Sequence, residues 1–211
     1  MESRAAKLVK RLIAHLHRID CTRVKAEALF TRHEFVRRDI ELLYTGLFLE
    51  AVTSFESFLE ALFVGLLCKS FKHPCRTIRV KVEFRSWVVC HEVLRGRRPY
   101  AEWMPYDNTL KRAEAYLAQG LPFTSLPKTS TDKLMKISLI RNAIAHKSRA
   151  ADEKFEQHVI SGATLLPQEK TPAGYLRSIF AAAPPQNRYQ ECIYDLAAIA
   201  RQLVATTQRR A

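Results

Sequence analysis

The chain has 211 residues, 47% of them hydrophobic and 26% charged, which excludes a disordered polymer and leaves room for a substantial core. Its 34 Lys and Arg against 21 Asp and Glu give a formal net charge of +13, which directs expectation toward a polyanionic partner, nucleic acid first and a membrane surface or acidic protein after it. Five scattered cysteines, Cys21, Cys68, Cys75, Cys90 and Cys192, form no C-x-x-C pair, which fits a reducing cytoplasm better than a disulfide framework.

The N-terminus is charged and amphipathic, so no secretory leader is expected. Leu8, Leu12, Ile13, Leu16 and Ile19, with Lys7, Lys10, Arg11 and Arg18 between them, predict an amphipathic helix over 3–19 with a basic outer face. A second helix or a continuation follows from Thr22 through Val36. From Asp39 to Lys69 the pattern is apolar nearly all round, which predicts a helix central to a bundle. Its longest apolar run, Leu42 to Leu67, is interrupted by Glu50, Glu56 and Glu60, and three carboxylates are too costly in lipid for a membrane span. Glu56 and Glu60 are four apart and share a face, either as a solvated stripe or a Glu56 paired with some Lys or Arg, or with Glu56 facing the helix that carries Arg141 and His146.

The next stretch changes character. Between Lys69 and Arg112 there are 11 Lys and Arg against 4 Asp and Glu, whereas the first 68 residues hold 10 against 9. Ile78, Val80, Val82 and Phe84 alternate with Arg79, Lys81 and Glu83, the period of a half-buried strand. A helix over Ser86–Arg95 with Gly96 as its stop comes next. Arg97-Arg98-Pro99-Tyr100 and Trp103-Met-Pro105-Tyr106 read as a loop able to neutralise phosphates and stack bases, or as an insertion whose aromatics pack onto the bundle. Cys68, His73, Cys75, Cys90 and His91 offer thiol and imidazole ligands, but without the paired rhythm of a structural zinc site. No metal site and no cofactor is therefore expected.

Asp107 to Gln119 predicts a short helix, and Leu121 to Thr131, with Pro122 and Pro127, a linker. Leu134, Ile137, Ile140 and Ile144 mark one buried helical face, with Ser130 or Thr131 as its cap. Helix continues over 152–158, Thr171-Pro172 opens a short helix, and Pro184-Pro185 separates it from a last helix with Ile193, Leu196, Ala197, Ala200, Leu203 and Val204 in its core stripe.

The motif helix carries Arg141, Asn142 and His146, and Lys147, Ser148 and Arg149 follow it. Arg141 and His146 are five apart, roughly 140° around a helix and about 7.5 Å along it, so both cannot enter one buried stripe. An imidazole that exchanges a proton near neutral pH, beside a rigid guanidinium with paired donors, suits phosphoryl chemistry. A surface or capping role is the alternative for such a pair. Arg141-Asn-Ala-Ile-Ala-His146 resembles the R-N-x-x-x-H signature of the HEPN superfamily. That resemblance implies an all-α, HEPN-like helical bundle over 1–211 as a single domain. The basic, aromatic-containing segment 70–120 would be an insertion carrying the short strand.

The resemblance further implies a homodimer acting as a metal-independent endoribonuclease, of the kind found among toxins and antiphage-defence effectors. His146 would move the proton, Arg141 would stabilise the pentacoordinate phosphate, Asn142 would support their geometry, and Glu56 would orient one of them. Lys147, Arg149, Arg97 and Arg98 would contact the RNA. An antitoxin or a nucleotidyltransferase is a further partner of such domains. Two other readings stand beside this one: a non-catalytic HEPN-like binding module, and an unrelated basic helical protein whose Arg141 and His146 only touch phosphates. No P-loop, G-x-G-x-x-G, G-x-S-x-G or H-E-x-x-H competes.

Overall fold

Two long helices open the chain, α1 (Arg4–Thr31) and α2 (Arg37–Leu67). The structure, a computed structural model, describes residues 4–70 and 78–205. Helices α3 (Trp87–Arg95), α4 (Tyr106–Tyr116), α5 (Lys128–Ala145), α6 (Arg149–Phe155), α7 (Pro172–Arg177) and α8 (Arg188–Val204) follow, so the fold is mostly helical. Strands β1 (Ile179–Ala182) and β2 (Pro185–Asn187) form an antiparallel hairpin with Ile179 opposite Asn187. None of the described helices is long and apolar enough to cross a membrane.

Packing divides the chain into two compact units. The first takes Met1–Ile13, Ser54–Thr131 and Ala197–Ala211; the second takes Ala14–Thr53 and Asp132–Leu196.

In the first unit, the α2 residues Phe58, Leu59 and the run from Leu62 to Leu67 are buried, as expected of a helix apolar on every side. Phe63 is fully buried, with ring centroids of Trp103 at 5.2 Å, Phe123 at 5.3 Å and Tyr116 at 6.3 Å. Thr109 donates to the Trp103 carbonyl at 2.6 Å, Tyr106 donates to the Phe123 carbonyl at 2.9 Å, and the Arg112 guanidinium lies over the Trp103 ring. The basic segment is thus anchored by its own aromatics. Helix α3 begins where expected, with Ser86 accepting from the Val89 amide, and ends at Gly96, whose φ of 61° a side chain would resist.

The strand expected over 78–84 does not form. Val80 makes a single bridge to Leu117, flanked by hydrogen bonds from Lys81 to Tyr116 and from Ala118 to Arg79. The alternating side chains are there, but the partner segment is the turn leaving α4, too short to extend a ladder.

In the second unit, α1 runs without a break where two helices or one were open. Thr22 returns its hydroxyl to the Arg18 carbonyl and Asp20 pairs with Arg23, so two residues suited to a break are held inside the helix. The opening half of α2 is one-sided: Ile40, Tyr44, Phe48 and Ala51 are buried while Leu42 is exposed. Helix α7 starts at Pro172 with Thr171 capping the Gly174 amide, as expected.

Gly174 is where the turn Gln168–Glu169 crosses α7. A Cβ there would stand 2.1 Å from the Gln168 carbonyl oxygen, which is backbone and cannot swing away. Gly174→Ala is expected to cost about 1–3 kcal/mol of stability, read as a lower denaturant midpoint at unchanged slope. An unchanged midpoint would contradict this close approach.

Candidate functional site

Helix α5 is positioned by both its faces. Leu134, Ile137, Ile140 and Ala143 are buried, while Ile144 is half-buried. Lys133 reaches Asp195 of α8 at 2.5 Å, and Lys136 lies 3.7 Å from Glu191 of the same helix. The helix starts at Lys128, earlier than either expected cap. Ser130 is buried and donates to Gln202, and Thr131 donates to the Lys128 carbonyl, so neither hydroxyl serves as the cap.

The opposite end of α5 emerges from the packing. Arg141 and Asn142 are half-buried and His146, just past the last helical residue, is exposed. The His146 amide still donates to the Asn142 carbonyl at 2.9 Å, so the imidazole is carried on a continuing turn. Arg141 Nη1 lies 3.1 Å from Asn142 Oδ1 and 3.3 Å from His146 Nε2. The two are five positions apart, yet the long arginine side chain bends round the helix edge to meet the ring. A guanidinium only donates, so a hydrogen bond across this contact uses the Nε2 lone pair of the tautomer that carries its proton on Nδ1. The arrangement therefore presents a proton acceptor and a fixed cation at one point. Asn142 holds the guanidinium through its side-chain oxygen.

The other expected residues are placed as follows. Lys147 is exposed, and so is Arg149, which pairs with Glu153 at 2.7 Å. Ser148 caps α6 by accepting from the Ala151 amide. Arg97 and Arg98 are exposed in the first unit, where Arg98 pairs with Glu102 at 2.7 Å. Such exposed pairs are weak enough for a phosphate to displace. Glu56 is half-buried on the part of α2 that belongs to the first unit, whereas Arg141, Asn142 and His146 belong to the second. Trp103 and Tyr106 are buried, which removes them as base-stacking groups and leaves Tyr100 exposed. Of the thiols and imidazoles weighed for zinc, His73 and Cys75 lie outside the described residues. His91 Nδ1 lies 2.9 Å from Glu60, and the buried Cys90 thiol is pushed up to about 12 by burial and by its neighbour Cys68.

Comparison with protein-family models, with curated proteins and with solved structures returned no match.

Sequence reasoning missed a polar network in the second unit. Arg177 Nε and Nη2 donate to the two oxygens of Glu27 at 2.9 and 3.0 Å, and Tyr44 donates to Glu27 Oε1 at 2.7 Å. Asn187 Nδ2 in turn donates to Tyr44 Oη at 3.0 Å. The signal was present: Arg23 falls in step with Leu12, Leu16, Ile19 and Ala26, so a charge stands on the buried stripe of α1.

Burial pushes the Glu27 carboxyl up, but the hydrogen bonds and charge of Arg177 and the Tyr44 hydroxyl outweigh it and hold the group below its ordinary 4.5. A carboxyl lowered in the folded state stabilises above its unfolded value and loses that contribution as pH falls through the folded one. Glu27→Gln is therefore expected to cost about 2 kcal/mol at pH 7. The gap from the unsubstituted protein should close below pH 4.5, read by thermal unfolding across pH. A gap independent of pH would show that the carboxylate charge contributes nothing.

Proposed function

We propose that this chain is a HEPN-type endoribonuclease that cleaves RNA without a metal ion. One observation carries the reading: Arg141 Nη1 stands 3.3 Å from His146 Nε2 at the exposed end of α5, with Asn142 bracing the guanidinium. When RNA enters, Arg141 turns its Nη1 from His146 to the phosphate, and the freed Nε2 lone pair takes the proton of a ribose 2′-hydroxyl, whose oxygen attacks the adjacent phosphorus. As the bond from phosphorus to the 5′-oxygen breaks, Arg141 balances the charge that builds on the equatorial oxygens. The leaving oxygen takes up a proton, so the products are a 2′,3′-cyclic phosphate and a 5′-hydroxyl end.

In this reading two copies of the chain pair, and each presents its Arg141 and His146 to a shared groove. Lys147 and Arg149, which follow His146, hold neighbouring phosphates. A toxin or antiphage-defence role, held in check by an antitoxin or a nucleotidyltransferase partner, is the biological setting this chemistry suits. The test is incubation of labelled RNA with the purified protein in EDTA, comparing the unsubstituted protein with His146→Ala and Arg141→Ala. Cleavage that survives chelation and is lost in both variants supports the reading. Binding retained with no cleavage by any of the three points instead to a binding module.

A further inference from the structure

A cleft of about 580 Å³ opens in the second unit beside the Glu27 network, within the size range of small-ligand sites. Three arginines line it: Arg23 from α1, Arg37 from the first turn of α2 and Arg177 from the end of α7. They are not equivalent. Arg177 gives two N–H groups to Glu27, which also takes the Tyr44 hydroxyl, whereas Arg23 and Arg37 each meet a carboxylate through Nε alone.

Arg23 is a buried charge in the cleft wall, its side chain 8% exposed, with Nε on Asp20 at 2.6 Å and the Tyr44 hydroxyl as a further partner. A guanidinium carries five N–H donors in a rigid fork, and burying one is costly unless the rest find acceptors. Arg37 uses Nε on Glu41 at 2.7 Å and Nη2 on the Gln168 carbonyl at 3.2 Å, which restrains an otherwise mobile side chain at the cleft. Glu169 is the carboxylate lining the cleft that remains unmatched by these arginines, and one of its oxygens accepts the Leu166 amide.

We propose that this cleft binds a phosphate ester, with Arg23 and Arg37 as its guanidinium donors. One fork satisfies the two oxygens of a carboxylate, whereas two forks arriving from separate helices match a tetrahedral group with several anionic oxygens. A mononucleotide and a phosphodiester of an RNA strand share that chemistry. The inference is independent of cleavage at α5.

Arg37→Ala and Arg23→Lys test it, both prepared on a His146→Ala background so that bound RNA stays intact. Calorimetry follows adenosine 5′-monophosphate with adenosine as the control lacking phosphate. Fluorescence anisotropy follows a short single-stranded RNA with a 5′-hydroxyl end across a salt series. An RNA affinity about tenfold weaker in the variants, with a salt slope shallower by about one, identifies a strand phosphate as occupant. Monophosphate binding that adenosine lacks and the variants lose identifies a free nucleotide, and either result supports the proposal. Unchanged affinity for both probes in a folded Arg37→Ala protein overturns it. Arg37 is half-exposed, so this variant decides the matter even if Arg23→Lys fails to fold. The same Arg37→Ala substitution made in protein that keeps His146 is assayed for cleavage: loss of cleft binding with cleavage intact, or the converse, separates this inference from the nuclease reading.

Discussion

Replacing His146 with alanine is expected to lower RNA cleavage by about 10²–10⁴-fold, because proton transfer by a positioned side chain contributes that much. Arg141→Ala is expected to lose about 10²–10³-fold, the cost of removing one donor to a developing oxyanion. The double variant should be little worse than the more damaged single one, since both groups act on one step. Arg141→Lys separates geometry from charge: an ammonium keeps the cation but cannot meet both Asn142 Oδ1 and a phosphate with one planar fork. It should therefore recover only a small part of the loss. These side chains lie at the exposed end of α5, outside the stripe of Leu134, Ile137 and Ile140 that seats the helix, so the variants should unfold at close to the unsubstituted midpoint. Cleavage at the unsubstituted rate by either alanine variant would sink the proposed role of the pair.

The largest expected loss of stability belongs to Phe63→Ala. Phe63 is fully buried and touches three aromatic partners, Trp103, Tyr116 and Phe123, from three separate stretches of the first unit. Removing the ring takes away its transfer free energy and leaves a void that rigid rings cannot easily fill, about 3–5 kcal/mol in total. Phe63→Leu should cost clearly less, because it keeps most of the apolar volume. Equilibrium denaturation with urea measures both. A Phe63→Ala protein within about 1 kcal/mol of the original would mean that the three rings collapse onto one another without it.

How much of this was legible beforehand depends on where the physical signal resides. Helix α3 was readable at both ends because Ser86 and Gly96 act locally, through a side-chain cap and a positive φ. Thr171-Pro172 was readable for the same reason. The β1–β2 hairpin was not, since Ala181, Ala182, Pro184 and Pro185 carry no alternation, and a proline on an edge strand looks the same in sequence as one in a linker. The 78–84 segment failed in the opposite direction: its alternation was sound, but strand formation depends on a neighbour that local pattern cannot supply. At the site, the residue types and spacing of Arg141, Asn142 and His146 were plain. Their convergence was not, because it depends on the path of a flexible side chain. The Glu27 network joins residues up to 150 positions apart, which no local pattern reveals.

That separation has a consequence for how the protein is made. Glu27 leaves the ribosome with Tyr44 close behind it, 17 residues on, whereas Arg177 follows only after another 133 or so have been added. Until then Glu27 has the charge of Arg23 on its own helix and the Tyr44 hydroxyl, but lacks the two N–H donors that Arg177 brings. The bidentate half of the Glu27 network is therefore closed only by the last quarter of the chain.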